Sequence, residues 1–326
     1  MLGVDLGSYS LKYCLSRKKR DMTFAIEKTG DFIHNGEMSA DGNIRSSDSM
    51  ANTIRNVWKK NRLSREICLS YYHPRMVVQN ISLPEMSASE LENALRWEAG
   101  SIITGEDRFQ IGWEILGKAD GKMEILFTAT PAAAVAEYLS LFKTAGIRVE
   151  AMEPHALSLI RGFLGLHPAF SRDTSLVLVE TGFRKSTILY FENGKLVFVR
   201  YFGWGLQKIW EVLKESHGLL PAEILEMFKR GSISEDIPYQ MEEAIAQAAS
   251  DLLSEINRSF SFFLNKFGEH SLKNCFLVGG GAGLLSLRSY LVNNLNIALN
   301  DPSGPPPAPS LENMRLLPAI GVSLWS

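Results

Sequence analysis

Apolar residues along the chain come in short runs, and the period of those runs changes several times. Leu2–Leu6 is a compact apolar run leading into Gly7-Ser8, and 11–15 and 22–27 follow as further strand-like segments. This pattern predicts a β-turn-β meander with a glycine at its first tip. Ser47–Asn61 has helical spacing, and 66–72 and 76–83 return to strand. Ser87-Ala88-Ser89-Glu90 reads as a capping box, with Met86 and Leu91 placed for a hydrophobic staple. The helix it opens runs to about Ile102 through Leu91, Ala94, Leu95 and Glu98. Strands are expected at 111–116 and 123–128. Thr130-Pro131 opens a second helix with proline in its first position, Gly146 ends it, and 147–152 is again a strand. Together these elements read as a small α+β insertion at about 84–153.

After a helix near 155–164 the meander repeats. A strand at 175–179 runs into Glu180-Thr181-Gly182, a second follows at 186–191, Asn193-Gly194 gives a strong hairpin signal, and 195–201 closes the set. Two copies of apolar strand, acidic residue, any residue, glycine, strand, turn and strand imply an internal duplication. The stretch 205–267 is mostly helical, and a strand at 275–278 opens onto a glycine-rich turn at 279–283. The proline-bearing segment 301–310 reads as a surface spacer.

Composition narrows the class. A chain of 326 residues, 45% apolar and 21% charged, is an ordinary globular protein of about two domains. A net charge of −2 gives no broad basic face for nucleic acid. Cys14, Cys68 and Cys275 lie far apart and the six histidines are scattered, so neither a disulfide framework nor a zinc site is expected. The N-terminus has no basic region followed by an apolar one, and no run approaches ~20 apolar residues. A cytoplasmic location is expected, with the membrane reached only through a partner.

Three glycine-bearing turns follow strands: Asp5 through Ser8, Glu180 through Gly182, and 279–283. One such turn alone usually reflects a need for positive φ. Three of them, two preceded by carboxylates in matching repeats, suit a polyphosphate: successive amides form an anion-binding nest, and a carboxylate offers hard oxygen to Mg²⁺.

Val4-Asp5-Leu6-Gly7-Ser8-Tyr9-Ser10-Leu11-Lys12 resembles the first phosphate motif of the actin and sugar-kinase superfamily, in the form found in the PilM family of actin-like type IV pilus assembly proteins. The resemblance extends to Leu83-Pro84-Glu85-Met86, Glu90-Leu91, Arg96-Trp97-Glu98-Ala99, Ala145-Gly146-Ile147 with Glu153, and Arg200 with Gly203 and Gly205. It continues through Glu255-Ile256-Asn257-Arg258-Ser259, Gly279-Gly280-Gly281-Ala282 and 318–321. It implies an α/β fold: an actin-like, ribonuclease H-like duplication with a small α+β inserted subdomain. The first lobe would span 1–172, with 311–326 returning to it, and the second 173–310 with a helical insertion at about 205–267.

The resemblance also implies ATP with Mg²⁺ as ligand, bound in a cleft between the lobes. Asp5 would order the metal hydration shell, Gly7, Ser8 and Ser10 would face the phosphates, and Lys12 would supply the phosphate cation. Glu180, Gly182 and Ser186 would form the second clamp, with Gly205 nearby and Glu180 as the second metal-facing carboxylate. Glu226 and Lys229 would flank the adenosine, and Gly279, Gly280 and Gly281 would let it pack on backbone. The implied activity is at most a slow ATPase on a scaffold. The implied partner is the cytoplasmic N-terminal tail of a PilN-like single-span membrane protein, docked between the first lobe and the insertion at the cytoplasmic face of the inner membrane. Pilus ATPases and further copies of the chain are additional candidate partners.

The sequence departs from the family pattern at several places, one of them Leu225, which replaces a smaller residue beside Glu226. Glu180 stands where the second motif carries Asp, and Trp204 interrupts an expected glycine pair and would crowd the nucleotide. Trp97 and Trp113 read first as core packing. A type II secretion or MSHA-type pilus component with an eroded nucleotide site, and a small-molecule kinase, stay open as alternatives.

Overall fold

β1 (Leu2–Leu6) is buried at every position, as a strand covered on both faces must be. The computed structural model, which describes residues 1–19, 23–34, 44, 47–106, 108–168, 170, 174–230, 239–300 and 311–325, sets β1 at the centre of a sheet ordered β3-β2-β1-β4-β8. β2 (Ser10–Lys18) and β3 (Phe24–Ile33) form the antiparallel meander. β4 (Glu66–Tyr71) and β8 (Arg148–Pro154) add in parallel, and parallel pairing needs crossovers. The helix α1 (Ser47–Asn61) supplies the first crossover. The second is longer and carries the insertion.

That insertion is a sheet ordered β5-β7-β6, built from β5 (Val77–Pro84), β6 (Phe109–Ala119) and β7 (Lys122–Pro131). α2 (Ala88–Ile102) covers one face, packing Leu91, Leu95, Ala99 and Ile103 on alternate residues of β7, namely Met123, Ile125, Phe127 and Ala129. Both halves of the capping box form: the Ser87 amide donates to Glu90 Oε2 at 2.8 Å, and the Glu90 amide donates to Ser87 Oγ at 3.4 Å. Met86 joins the cluster that contains Leu91, as a staple requires.

Pairing moves the edges of the insertion from 84–153 to 77–131, because β5 belongs to its sheet while β8 pairs with β4. Pro131 ends β7 and precedes α3 (Ala132–Thr144) instead of opening it. α3 returns the chain to α1 and β8, and Gly146, at φ 78°, turns it into that strand.

The second unit repeats the plan. β9 (Leu176–Thr181) pairs antiparallel with β10 (Ser186–Glu192) and parallel with β12 (Cys275–Gly279), in a sheet ordered β11-β10-β9-β12 with β11 (Lys195–Phe202). Asn193 and Gly194 both take positive φ, 51° and 79°, as a type I′ hairpin turn demands. Where β8 extends the first sheet, the described residues show a single parallel bridge, Phe276 to Asn300. The helices α5 (Gln207–His217), α6 (Pro221–Arg230) and α7 (Tyr239–Phe267) separate β11 from β12, and α8 (Leu285–Asn294) and α9 (Leu311–Met314) follow. The proline-bearing segment 301–310 lies outside the described residues.

The chain divides into two compact units: Met1–Gly165 with Lys195–Val199 and Pro318–Ser326, and Leu166–Gly194 with Arg200–Leu317. Within the first, α10 (Leu317–Ser323) lies directly on the backbone of β1 and on α4 (His155–Leu166). A Cβ at Gly3 would overlap Ala319 O, and one at Gly321 would overlap Ser158 O. Ser16 Oγ donates to Ser323 O at 2.9 Å and fastens the helix end to β2. All three cysteines are buried and free, and burial pushes Cys14 up to about 11 and Cys275 up to about 12, so neither is a ready nucleophile. No helix among the described residues is long and apolar enough to cross a membrane.

The contact at Gly321 gives a stability prediction. Gly321→Ala should cost about 2 kcal/mol or more through overpacking, read as a loss of roughly 4 °C or more in Tm. Gly117→Ala, where a Cβ meets nothing within 4 Å, should leave Tm within about 1 °C. Equal melting of the two variants would refute the α10 contact.

Candidate functional site

The first turn closes with a hydrogen bond from the Gly7 amide to Ser10 O at 3.1 Å. Asp5, one residue before the end of β1, faces Lys12 across the β1–β2 register. Its carboxylate is only 4% exposed, with Lys12 Nζ 3.4 Å from Oδ2 and His155 Nδ1 3.5 Å from Oδ1. His155 is the first residue of α4. A Cβ on Gly7 would sit 3.1 Å from Lys12 Nζ and 3.2 Å from Ser10 O, so this position has little room for a side chain. Asp5, Gly7, Ser8, Ser10 and Lys12 are therefore gathered at one strand end. Histidine spacing in the sequence pointed to neither His155 nor His34, yet His34 Nε2 lies 2.7 Å from Gly7 O.

Two neighbouring strands end beside Asp5 in register: Ser70 on β4, and Glu153 on β8 next to Ser70. Burial pushes the Glu153 carboxyl up, and Arg161 and Ser158 oppose that shift. Arg161 grips Glu153 with two bonds, 2.7 Å to Oε2 and 2.6 Å to Oε1, and Ser158 Oγ donates to Oε2 at 3.0 Å. Glu153 thus ties β8 to α4.

The second turn has the same closure, from the Gly182 amide to Lys185 O at 3.0 Å. Glu180 occupies the position in β9 that Asp5 holds in β1, and its register partner is Thr187. The longer arm reaches across to that strand: Thr187 Oγ1 donates to Glu180 Oε2 at 2.8 Å, with Glu180 only 7% exposed. Ser186 is fully buried, and its hydroxyl donates inward to Trp204 O at 2.8 Å. Gly205 packs against the turn itself. A Cβ there would overlap Phe183 O, and the Leu206 and Gln207 amides donate to Gly182 O at 3.0 Å and Phe183 O at 2.8 Å.

β12 delivers the glycine-rich turn to the end of β9. Gly279 has φ 84°, and a Cβ on it would lie 2.7 Å from Thr181 O and 2.9 Å from Glu180 Cγ. A Cβ on Gly281 would overlap Thr181 Oγ1, whereas Gly280 faces Leu206 Cδ1 at 3.3 Å. The short 3-10 turn Gly280–Gly283 lies beside α6, which presents Glu226 exposed. The Lys229 side chain lies outside the described residues.

The family described as type IV pilus assembly protein PilM matches residues 3–302. The chain belongs to that family. Its fold is actin-like. A structure described as the PilM–PilN type IV pilus biogenesis complex is 19% identical, with 99% of this chain and 96% of that one covered at a TM-score of 0.80. The ethanolamine utilization protein EutJ from Carboxydothermus hydrogenoformans is 13% identical, covers 100% and 89%, and scores 0.57. MreB5 of Spiroplasma citri, bound to ADP, is 9% identical, covers 98% and 94%, and scores 0.52.

Two sequence blocks that resemble the PilM family prove to be structural here. Arg200 on β11 pairs with Glu255 and reaches Ser259 Oγ at 3.2 Å, and Arg258 adds a 3.5 Å contact to Glu255, so the block from Glu255 to Ser259 bolts α7 to β11. Trp204 is turned into the core of its unit. It is 2% exposed, and its indole Nε1 donates to Ala248 O of α7 at 2.9 Å, an apolar ring with a satisfied polar tip. The reverse holds in the insertion: Trp97 is 75% exposed and Trp113 40% exposed, so neither is core.

Thr187→Val tests the electrostatics of the second turn. It leaves a buried carboxylate short of a donor and should cost about 1.5–3 kcal/mol, measured by urea unfolding. A variant as stable as the parent would show that Glu180 does not depend on that hydroxyl.

Proposed function

We propose that the chain is an ATP-binding scaffold of a type IV pilus inner-membrane assembly platform, at most a slow ATPase, which docks the cytoplasmic N-terminal tail of a PilN-like single-span membrane protein. One observation carries the nucleotide part: two turns in duplicated units close by the same amide-to-carbonyl bond, each with a buried carboxylate at the same strand position. In the first unit the β- and γ-phosphates would meet the Gly7 to Ser10 turn, with Lys12 as cation. In the second, Gly182 and the Gly279 to Gly281 turn would offer backbone, and Glu226 on α6 would flank the adenosine.

Among the described residues no group of three or more His, Cys, Asp or Glu side chains forms a metal cage. Mg²⁺ does not need one, since it is commonly held by one or two carboxylates together with substrate phosphates and water. Asp5 suits that role by position: it is buried at the strand end, with Lys12 Nζ 3.4 Å from Oδ2 and His155 Nδ1 3.5 Å from Oδ1. Glu180 accepts from Thr187 Oγ1 on the neighbouring strand. Phosphoryl transfer depends on positioning, and the longer arm of a glutamate at the second strand end favours binding over turnover.

For the partner, the solved PilM–PilN complex of the same fold is the support. The tail would lie where the insertion joins the first sheet. There Tyr71 OH and Thr130 Oγ1 are 3.0 Å apart and Tyr138 OH donates to Tyr72 O at 2.9 Å, a rigid base for a groove. A cytoplasmic location at the inner face of the membrane follows from that partner.

ATP with Mg²⁺ at ~100-fold its Kd should add about 2.7 kcal/mol of stability, seen as a rise of several degrees in Tm that Asp5→Ala abolishes. An unchanged Tm at millimolar ATP removes the nucleotide from the reading. A fluorescent peptide carrying the partner's N-terminal tail should bind saturably in an anisotropy titration. Binding weaker than about 1 mM, roughly 4 kcal/mol, argues against the docking role.

A further inference from the structure

We propose that His34 is a positioning residue for the first phosphate turn, holding the Gly7–Ser8 peptide so that the Ser8 amide is turned toward the anion before it arrives. The inference rests on the nucleotide-binding reading above. His34 directly follows β3, whose last residue, Ile33, is the register partner of Ser10, and so it arrives beside the turn. Its amide donates to Tyr9 O at 3.2 Å, and its ring Nε2 lies 2.7 Å from Gly7 O, with the residue 3% exposed. A carbonyl oxygen only accepts, so Nε2 carries the proton in this contact.

A trans peptide points its C=O and its N–H to opposite sides of the C–N bond. Drawing Gly7 O onto His34 therefore sends the Ser8 N–H the other way. The Gly7 amide is already committed to Ser10 O at 3.1 Å. With both ends of the Gly7 unit fixed, the Ser8 amide is the donor left with a set direction and a role in an anion nest. Glycine at position 7 makes the hold necessary, because its backbone reaches alternative φ and ψ values at little steric cost. Without the imidazole donor, the Gly7–Ser8 peptide could flip and the nest would have to be rebuilt on binding.

The test compares three variants. His34→Leu keeps bulk and removes the donor, His34→Gln puts an amide donor near the position of Nε2, and His34→Asn carries a donor on an arm too short to reach. Two quantities are read: ATP affinity by titration, and NMR amide hydrogen exchange at Gly7 and Ser8 in the nucleotide-free protein. His34→Leu and His34→Asn should weaken ATP by about tenfold, the worth of one net hydrogen bond, and speed exchange at Gly7. His34→Gln should stay within about threefold of the parent with parental exchange. If His34→Leu does not fold, the comparison of Asn with Gln carries the test.

Parental ATP affinity in His34→Leu or His34→Asn overturns the proposal, even where exchange changes. Loss of affinity in His34→Gln equal to that in His34→Asn overturns it too, since the donor would then not be what matters. A parent protein that binds no nucleotide fails the underlying reading instead. In that case parental exchange at Gly7 in His34→Asn would separately show that the imidazole does not hold the turn.

Discussion

A carboxylate buried at the end of the central strand of each unit is the constraint around which the neighbouring residues are arranged. An ionised carboxylate out of water costs several kcal/mol unless charge or hydrogen bonds replace its hydration. The first unit meets this at Asp5 with Lys12 from the adjacent strand and His155 from the start of α4. At Glu180 in the second, the Thr187 hydroxyl at the equivalent cross-strand position donates to the carboxylate. One plan therefore places different side chains opposite the two carboxylates: a lysine across the register from Asp5 and a threonine across it from Glu180.

Glycine has a different meaning in the two units. Gly205, Gly279 and Gly281 are required by the fold itself, because a Cβ at each would strike the backbone or side chain of Thr181, Glu180 or Phe183. They lock the second turn, the glycine-rich turn and the start of α5 into one body. At Gly7 the limits are the tip of Lys12 and Ser10 O, just above 3 Å away. A glycine in a phosphate-like motif is thus not by itself a sign of a ligand. The direction of the amides around it is the stronger sign, and that direction depends on residues outside the motif.

Local signals made much of the fold legible in the sequence: the capping box at Ser87, the Asn193-Gly194 hairpin, the short apolar runs of the central strands and the repeated acidic-residue-to-glycine spacing all correspond to elements that form. The failures share one cause, which is dependence on partners distant in the chain. The edges of the insertion are set by which strand β5 and β8 pair with, and period alone carries no partner. Trp204 and Trp97 are indistinguishable by residue type; one is buried because Ala248 O meets its indole nitrogen, and the other is exposed because it lies off the Leu91, Leu95 and Ala99 stripe. Of the site, Asp5, Gly7 and Lys12 were legible as a contiguous motif. His34 was not, since 27 residues separate it from Gly7 and nothing around it in the sequence marks it.

The two units differ in the side chains that surround their strand ends. At the strand ends of the first, Lys12 and His155 lie beside Asp5, while Arg161 and Ser158 hold Glu153. At the second turn, Lys185 lies over the Tyr201 ring at 5.1 Å and Ser186 bonds inward to Trp204 O. Duplication gave both units the same strand order, but the side chains that satisfy each buried carboxylate decide what each strand end can still offer a ligand.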